Sequence, residues 1–290
     1  MPSEVIINEC PIPAGILLII GGKENKGKVD LENREAPEGF DPLEILKRFI
    51  ELTGKQRPIV EIITSASTEG NESYEEYKRL FETLGIESPG HIHHHKRSEV
   101  LGDDVLSRVK MADAFFFSGG DQLLLSSLYG GTPFLTELKN RYINNKIVIG
   151  GTSAGAMAMS TPMIYAGSEE VQQIGGEIKI TTGLEFLKDV CIDTHFVHRG
   201  RFIRLAQVIA TNPTCIGMGI EEDTAVVISN GQNADVIGSG TIIVIRGHSI
   251  SESSMDDFQN KKPISIRNLN VDILAKGDTF KIEQTNPPHF

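Results

Sequence analysis

Cysteine, cationic side chains and long apolar runs are all scarce in this 290-residue chain, and each scarcity removes a class of function. The three cysteines, Cys10, Cys191 and Cys215, are odd in number, widely spaced and without a CxxC pair. That set excludes a disulfide framework or a zinc ribbon and reads as buried thiols. Only 28 Lys and Arg stand against 39 Asp and Glu, a formal net charge of −11, so a phosphate-neutralising surface and a nucleic-acid partner are not expected. The longest apolar stretches, such as Gly15 to Ile20 and Ala112 to Phe117, fall far short of the roughly 20 residues of a spanning helix, and no membrane partner is expected. The first residues carry neither a basic nor a long apolar segment, which makes a cytoplasmic location the expectation.

What is present describes a globular protein: 39% hydrophobic and 23% charged residues, enough for one large domain over residues 1–290. Short apolar runs bounded by glycine alternate with longer mixed segments, the pattern of parallel strands buried on both faces and joined by helices. The class is therefore α/β. Strands are predicted at Gly15–Ile20, Ile59–Ser65, Ala114–Phe117, Ile147–Ile149, Val190–Thr194, Ala225–Ile228 and Thr241–Ile245. Helices are predicted at Asp41–Thr53, Ser73–Leu84, Gln122–Leu128, Pro133–Asn140, Ala154–Met159 and Arg201–Ala210. From Gly231 onward, Asn-Gly, Gly-Ser-Gly and Arg-Gly punctuation predicts antiparallel hairpins closing the sheet, with Ser251 to Lys262 as an exposed polar loop.

The most specific chemical signal is Gly151-Thr152-Ser153-Ala154-Gly155, a GxSxG pattern between the apolar Ile147–Ile149 run and a helix-favouring Ala-Met-Ala-Met. A strand that turns sharply into a helix strains its central residue, and flanking glycines remove the Cβ atoms that would clash. Ser153 would then stand at the strand end as a nucleophile, with the Ala154 N–H placed to donate to an oxyanion. The plain alternative is a tight turn needed only for close packing; the strand and helix flanks favour the nucleophile.

A serine nucleophile needs a base. His195 ends the strand-like Val190–Thr194 run, whereas His198 falls inside the turn that follows, so His195 is the better placed. Its acid would come from Glu221, Glu222 or Asp223, and spacing does not choose among them. Ser118-Gly119-Gly120-Asp121-Gln122 follows another buried strand, and its backbone N–H groups, those of Gly120 and Asp121 among them, would complete the oxyanion hole at the same sheet edge. Arg199, Arg201 and Arg204 follow His195 closely, and Arg201 and Arg204 at i and i+3 share a helix face able to fork a carboxylate. A solvated basic face is the alternative.

Two distractors carry less. Gly22 to Lys28 nearly spells a phosphate-binding loop, but Val29 stands where the magnesium-binding hydroxyl belongs. His91, His93, His94 and His95 are adjacent in one loop, where solvated rings are the rule and metal sites draw on more distant segments. Neither a metal nor a cofactor is expected.

With these pieces in order, the chain resembles the cyanophycinases, a branch of the serine peptidase family that also contains aspartyl dipeptidase (peptidase E). The resemblance rests on Phe115–Gln122, Ile149–Ser160, Asp193–Leu205 and Gly217–Ile228, and in weaker form covers nearly the whole chain. It implies a three-layer sandwich around a mostly parallel sheet, like that of class I glutamine amidotransferases, and a triad of Ser153, His195 and Glu222. The order nucleophile, histidine, acid also separates it from α/β-hydrolases. The resemblance further implies that Gln122, Asp193, Arg201 and Arg204 line an aspartyl pocket and that the protein is a homodimer. It implies exopeptidase action on cyanophycin, multi-L-arginyl-poly-L-aspartate, releasing β-aspartyl-arginine, with small aspartyl peptides as the alternative substrate. A catalytically silent binding homologue is the non-enzymatic alternative. Two positions depart from the family pattern: Thr194 stands where a glutamine is expected, and Leu124 where many members are basic. Both bear on substrate rather than on the triad.

Overall fold

A computed structural model describes residues 11–27, 41–167, 174, 177–256 and 263–282, the side chains of Asp103 and Asp104 excepted. The centre is an eight-stranded sheet. Its five parallel strands are β1 (Ile16–Ile20), β2 (Val60–Ile63), β3 (Gly90–Ile92), β4 (Ala114–Phe117) and β5 (Val148–Thr152), side by side in the order β1-β5-β4-β2-β3. Three antiparallel strands, Thr224–Ser229, Asn233–Gly238 and Thr279–Lys281, extend it beyond β1.

Successive residues of a strand face opposite sides, and here both sides are packed. Leu17 and Ile19 of β1, Phe115 and Phe117 of β4, and Ile149 of β5 face one apolar cluster; Leu18, Ile20, Phe116 and Val148 face another. The second cluster is closed by helices Glu44–Glu51 and Gly70–Thr83 through Phe49, Tyr77 and Phe81. Helices Gln122–Tyr129 and Pro133–Asn144 cover the other face through Leu125, Tyr129, Phe134 and Leu138. This is the expected α/β class, with helices on both faces of a mostly parallel sheet and antiparallel strands toward the C-terminus.

A second, six-stranded sheet adjoins the first cluster. Val190–Thr194 and Ile216–Ile220 pair in parallel at its centre, flanked by Thr241–Arg246, Asn270–Ala275, Ser160–Thr161 and Leu187–Lys188. The Val190–Thr194 strand, which ends at His195, lies in a different sheet from β5, which ends at Ser153. Its five residues are all buried, so their pattern does not tell one sheet from another. Helix Asp103–Met111, the β3 strand and the hairpin of Met163–Ala166 with Lys179–Thr181 have no counterpart among the predicted elements. The supposed loop at Ser251 begins with a short strand, Glu252–Ser253, paired to Ile266–Arg267; its last part, residues 257–262, lies outside the described residues, as do Cys10, Lys28 and Val29. Cys191 and Cys215 are free and buried. No helix among the described residues is long and apolar enough to cross a membrane.

Candidate active site

Three chain segments converge on one point, and each does so by anchoring to the end of β1. The Ser153 N–H donates to the Ile20 carbonyl at 3.1 Å, the His195 N–H to the Gly21 carbonyl at 2.8 Å, and the Asp223 N–H to the Gly22 carbonyl at 3.0 Å. Gly22 has φ of +102°, and a Cβ there would fall on the His195 imidazole, so only glycine lets the ring pack against this backbone.

Ser153 sits between β5 and the short helix Ala154–Met157 with φ 52° and ψ −114°, a conformation that costs a non-glycine residue on the order of 1–3 kcal/mol. The turn closes so tightly that a Cβ on Gly151 would meet the backbone of Gly155. Strain at this position lifts the serine oxygen out of the strand line. There, the Ser153 hydroxyl lies 2.9 Å from His195 Nε2, and His195 Nδ1 lies 2.7 Å from Glu222 Oε1. With Nδ1–H donating to Glu222, Nε2 is left to accept the serine proton. Burial pushes His195 below its ordinary pKa, reinforced by Arg199 and Arg201 and opposed by Glu222. Burial raises the Glu222 carboxyl, but hydrogen bonds from His195 and Lys23 outweigh it and leave that carboxyl below its usual range.

The three carboxylates left open by spacing separate cleanly. Glu221 turns away, accepting from the amides of Val197 and His198, and Asp223 accepts from the Asn25 amide and the Ser239 hydroxyl. Glu222 alone of the three reaches a histidine ring. His198 is exposed and its amide serves only to hold Glu221.

A cavity of about 270 Å³ opens beside Ser153, lined by Gly120, Gln122, Ala154, Thr194 and the three arginines. Ala154 is the first residue of its helix, where the N–H has no intrahelical partner. The Gly120 N–H makes no hydrogen bond among the described residues, whereas the Asp121 N–H is committed to the Ala66 carbonyl at 2.8 Å. This corrects the expectation for Asp121, whose carboxylate caps the following helix through the Leu123 amide; the N–H groups of Gly120 and Ala154 are left unpaired beside Ser153 among the described residues. Gln122 spends its side-chain N–H on the Ile164 carbonyl at 2.8 Å, which turns its oxygen free.

The arginines are arranged differently from a bare clamp. Asp193 is fully buried and lies beneath them rather than in the cavity lining, forked by Arg204 through Nε at 2.5 Å and Nη2, and bonded by Arg201 Nη1 at 3.2 Å. Asp193 is thus corrected from a pocket wall to the counter-charge that holds Arg201 and Arg204 in place. One carboxylate against two guanidiniums, with exposed Arg199 beside them, leaves the cavity net positive. Thr194 also lines it, its side chain fully buried and its hydroxyl without a partner among the described residues.

The neighbourhood also contains residues that sequence reasoning missed: Tyr165, half-exposed on the Met163–Ala166 hairpin at the cavity rim, and Lys23 and Glu24 after β1. For Lys23 and Glu24 the only signal was the Gly-Gly that follows β1, which the near-match to a phosphate loop obscured, and Tyr165 had none. Of the four histidines expected in one loop, His91 lies in β3 instead; His91 and His93 share the Thr64 hydroxyl and His94 bonds Tyr129. No cluster of three or more His, Cys, Asp or Glu able to hold a metal occurs among the described residues.

Residues 37–236 match the family described as Peptidase family S51. A cyanophycinase of Synechococcus elongatus is 30% identical over 275 residues, spanning 95% of this chain and 81% of that protein. A cyanophycinase of Geminocystis herdmanii is 31% identical over 273 residues, spanning 93% and 95%. The crystal structure of a peptidase from an acI-B1 Actinobacterium shares the fold at a TM-score of 0.64 and 21% identity, over 93% of this chain and 98% of that one.

Proposed function

The chain belongs to peptidase family S51 and is a serine-type peptidase, and from that premise we propose that it is an exopeptidase acting on cyanophycin through Ser153, His195 and Glu222. The observation that carries the reading is the continuous hydrogen-bonded line from Ser153 Oγ through His195 to Glu222, at 2.9 and 2.7 Å, opening on a cationic cavity.

In the proposed reaction Ser153 Oγ attacks the scissile carbonyl carbon as His195 Nε2 takes its proton. Glu222 stabilises the imidazolium, and the Gly120 and Ala154 N–H groups receive the charge on the carbonyl oxygen. Collapse breaks the C–N bond, the proton passes from His195 to the leaving amine, and an acyl ester remains on Ser153. Water, deprotonated by His195, releases the acid and restores the serine. The arginines favour a substrate residue with a free carboxylate beside the scissile bond, as the terminal aspartate of cyanophycin offers; this selects chain ends and gives exopeptidase action.

Small aspartyl or β-aspartyl dipeptides present the same carboxylate, so one assay separates the two substrates. Wild type and Ser153→Ala are incubated with insoluble cyanophycin and, in parallel, with aspartyl dipeptides, and products are read by mass spectrometry. Release of β-aspartyl-arginine by wild type, with the variant at least about four orders of magnitude slower in kcat, supports the reading. Cleavage of dipeptides alone moves the substrate to the smaller class, and turnover retained by Ser153→Ala rules out the nucleophile.

A further inference from the structure

The loop after β1 does more than anchor backbones. Lys23 adopts φ of +42°, a left-handed conformation unusual for a residue with a side chain. Its ammonium lies 3.0 Å from Glu222 Oε1, the same oxygen that faces His195 Nδ1. The next residue, Glu24, is a buried carboxylate, 3% exposed, that accepts from the Thr152 hydroxyl at 2.5 Å and from the Tyr77 hydroxyl. Thr152 immediately precedes Ser153. Asn25 then donates to the Asp223 side chain at 2.7 Å, next to Glu222. Within three residues the loop therefore grips the nucleophile's strand, the acid and the residue that follows the acid, and the strained Lys23 is held by bonds at its two neighbours.

We infer that Lys23 is a positioning residue of the proposed triad: its ammonium holds the Glu222 carboxylate on His195, while the buried Glu24 anchors the loop that carries it. The inference rests on the Ser153–His195–Glu222 reading and adds to it a fourth charge acting through Glu222. Two consequences follow. The acid has a fixed orientation before substrate arrives, and one more positive charge disfavours the imidazolium, so the base stays neutral, and the enzyme active, to lower pH.

The other charges around the pair are accounted for. From the segment after Val190–Thr194, Arg199 and Arg201 push His195 toward its neutral form and Glu222 opposes them. Glu221 and Asp223 are turned to the amides of residues 197, 198 and 25, and Glu24 to Thr152 and Tyr77. Lys23 is the cation paired directly with Glu222. Its side chain is 60% exposed, so its effect is modest and sensitive to salt.

The test is the pH profile of kcat/KM for wild type, Lys23→Met and Lys23→Arg, with Ser153→Ala alongside, on cyanophycin or on the aspartyl dipeptide if only that is cleaved. Lys23→Met is expected to lose about threefold on the acidic limb relative to its own plateau, with Tm unchanged, and Lys23→Arg to restore the wild-type profile. In about 1 M salt the difference should shrink. A Lys23→Met profile superimposable on wild type overturns the inference, and so does an equal loss at every pH accompanied by a lower Tm, which would mark a purely structural residue. Turnover by Ser153→Ala would instead remove the triad reading itself, an outcome distinct from either.

Discussion

Thr194→Val isolates a single hydroxyl. Valine has nearly the shape of threonine, so the change removes a polar group from a fully buried side chain without opening a cavity. The magnitude follows from what that hydroxyl does in the fold, where it has almost no accessible surface and pairs with nothing among the described residues, in a residue that borders the cavity beside Ser153. An unsatisfied buried hydroxyl lowers stability by about 1–3 kcal/mol, so its removal should leave the fold untouched or raise stability by up to about 1 kcal/mol. For a chain of this size that is a Tm increase of roughly 0–4 °C.

Catalysis should move the other way. If substrate supplies the missing partner, losing that hydrogen bond removes about 1–2 kcal/mol from the transition state, a fall in kcat/KM of roughly 5–30-fold. In that case the bond is made to the bound residue rather than to the scissile carbonyl, and most of the loss should appear in KM. Differential scanning calorimetry and steady-state kinetics on cyanophycin, with dipeptide in parallel, read the two effects separately. A Tm lowered by several degrees would mean that the hydroxyl has a partner in the fold. Unchanged kcat/KM on both substrates would mean that it never meets the ligand; either result refutes the reasoning.

The sequence was most legible where local chemistry alone dictates structure. The strained turn at Ser153 needs glycine on both sides and a strand before it, and all of these are visible in eleven consecutive residues from Val148 to Ala158. The same holds for the buried runs of β1 and β4, whose continuous apolar character has one reading. Longer-range pairing was not legible. Val190–Thr194 is as apolar as β5, yet it pairs with Ile216–Ile220 in another sheet, a partnership no periodicity encodes. Asp193 and its arginines likewise looked like one cationic clamp, because a sequence does not tell a carboxylate beneath the guanidiniums from one beside a ligand. Lys23 was hidden for the same reason: its significance lies in a contact with Glu222 across about two hundred residues of chain.

Two predictions concern stability. In Asp193→Asn, Arg201 and Arg204, with side chains only 15% and 10% exposed, lose their buried counter-charge, which should lower unfolding free energy by about 3–5 kcal/mol and raise KM; a loss below about 1 kcal/mol by urea titration would show that the arginines do not depend on it. The second is a pH dependence set by His91. Burial, with the charges of His93 and Arg108, pushes this ring from an ordinary 6.5 down to about 4, against a weaker opposite pull from Glu75. The folded state therefore binds the proton less readily than the unfolded one: its contribution is fully present above about 6.5 and is lost as pH falls toward about 4. Because the ring is partly exposed and solvent screens it, the loss is about 1–2 kcal/mol rather than the full equivalent of the shift. Denaturation of wild type and His91→Gln across that window should therefore give curves whose separation changes by this amount between pH 7 and pH 4, and parallel curves would place the acid sensitivity elsewhere.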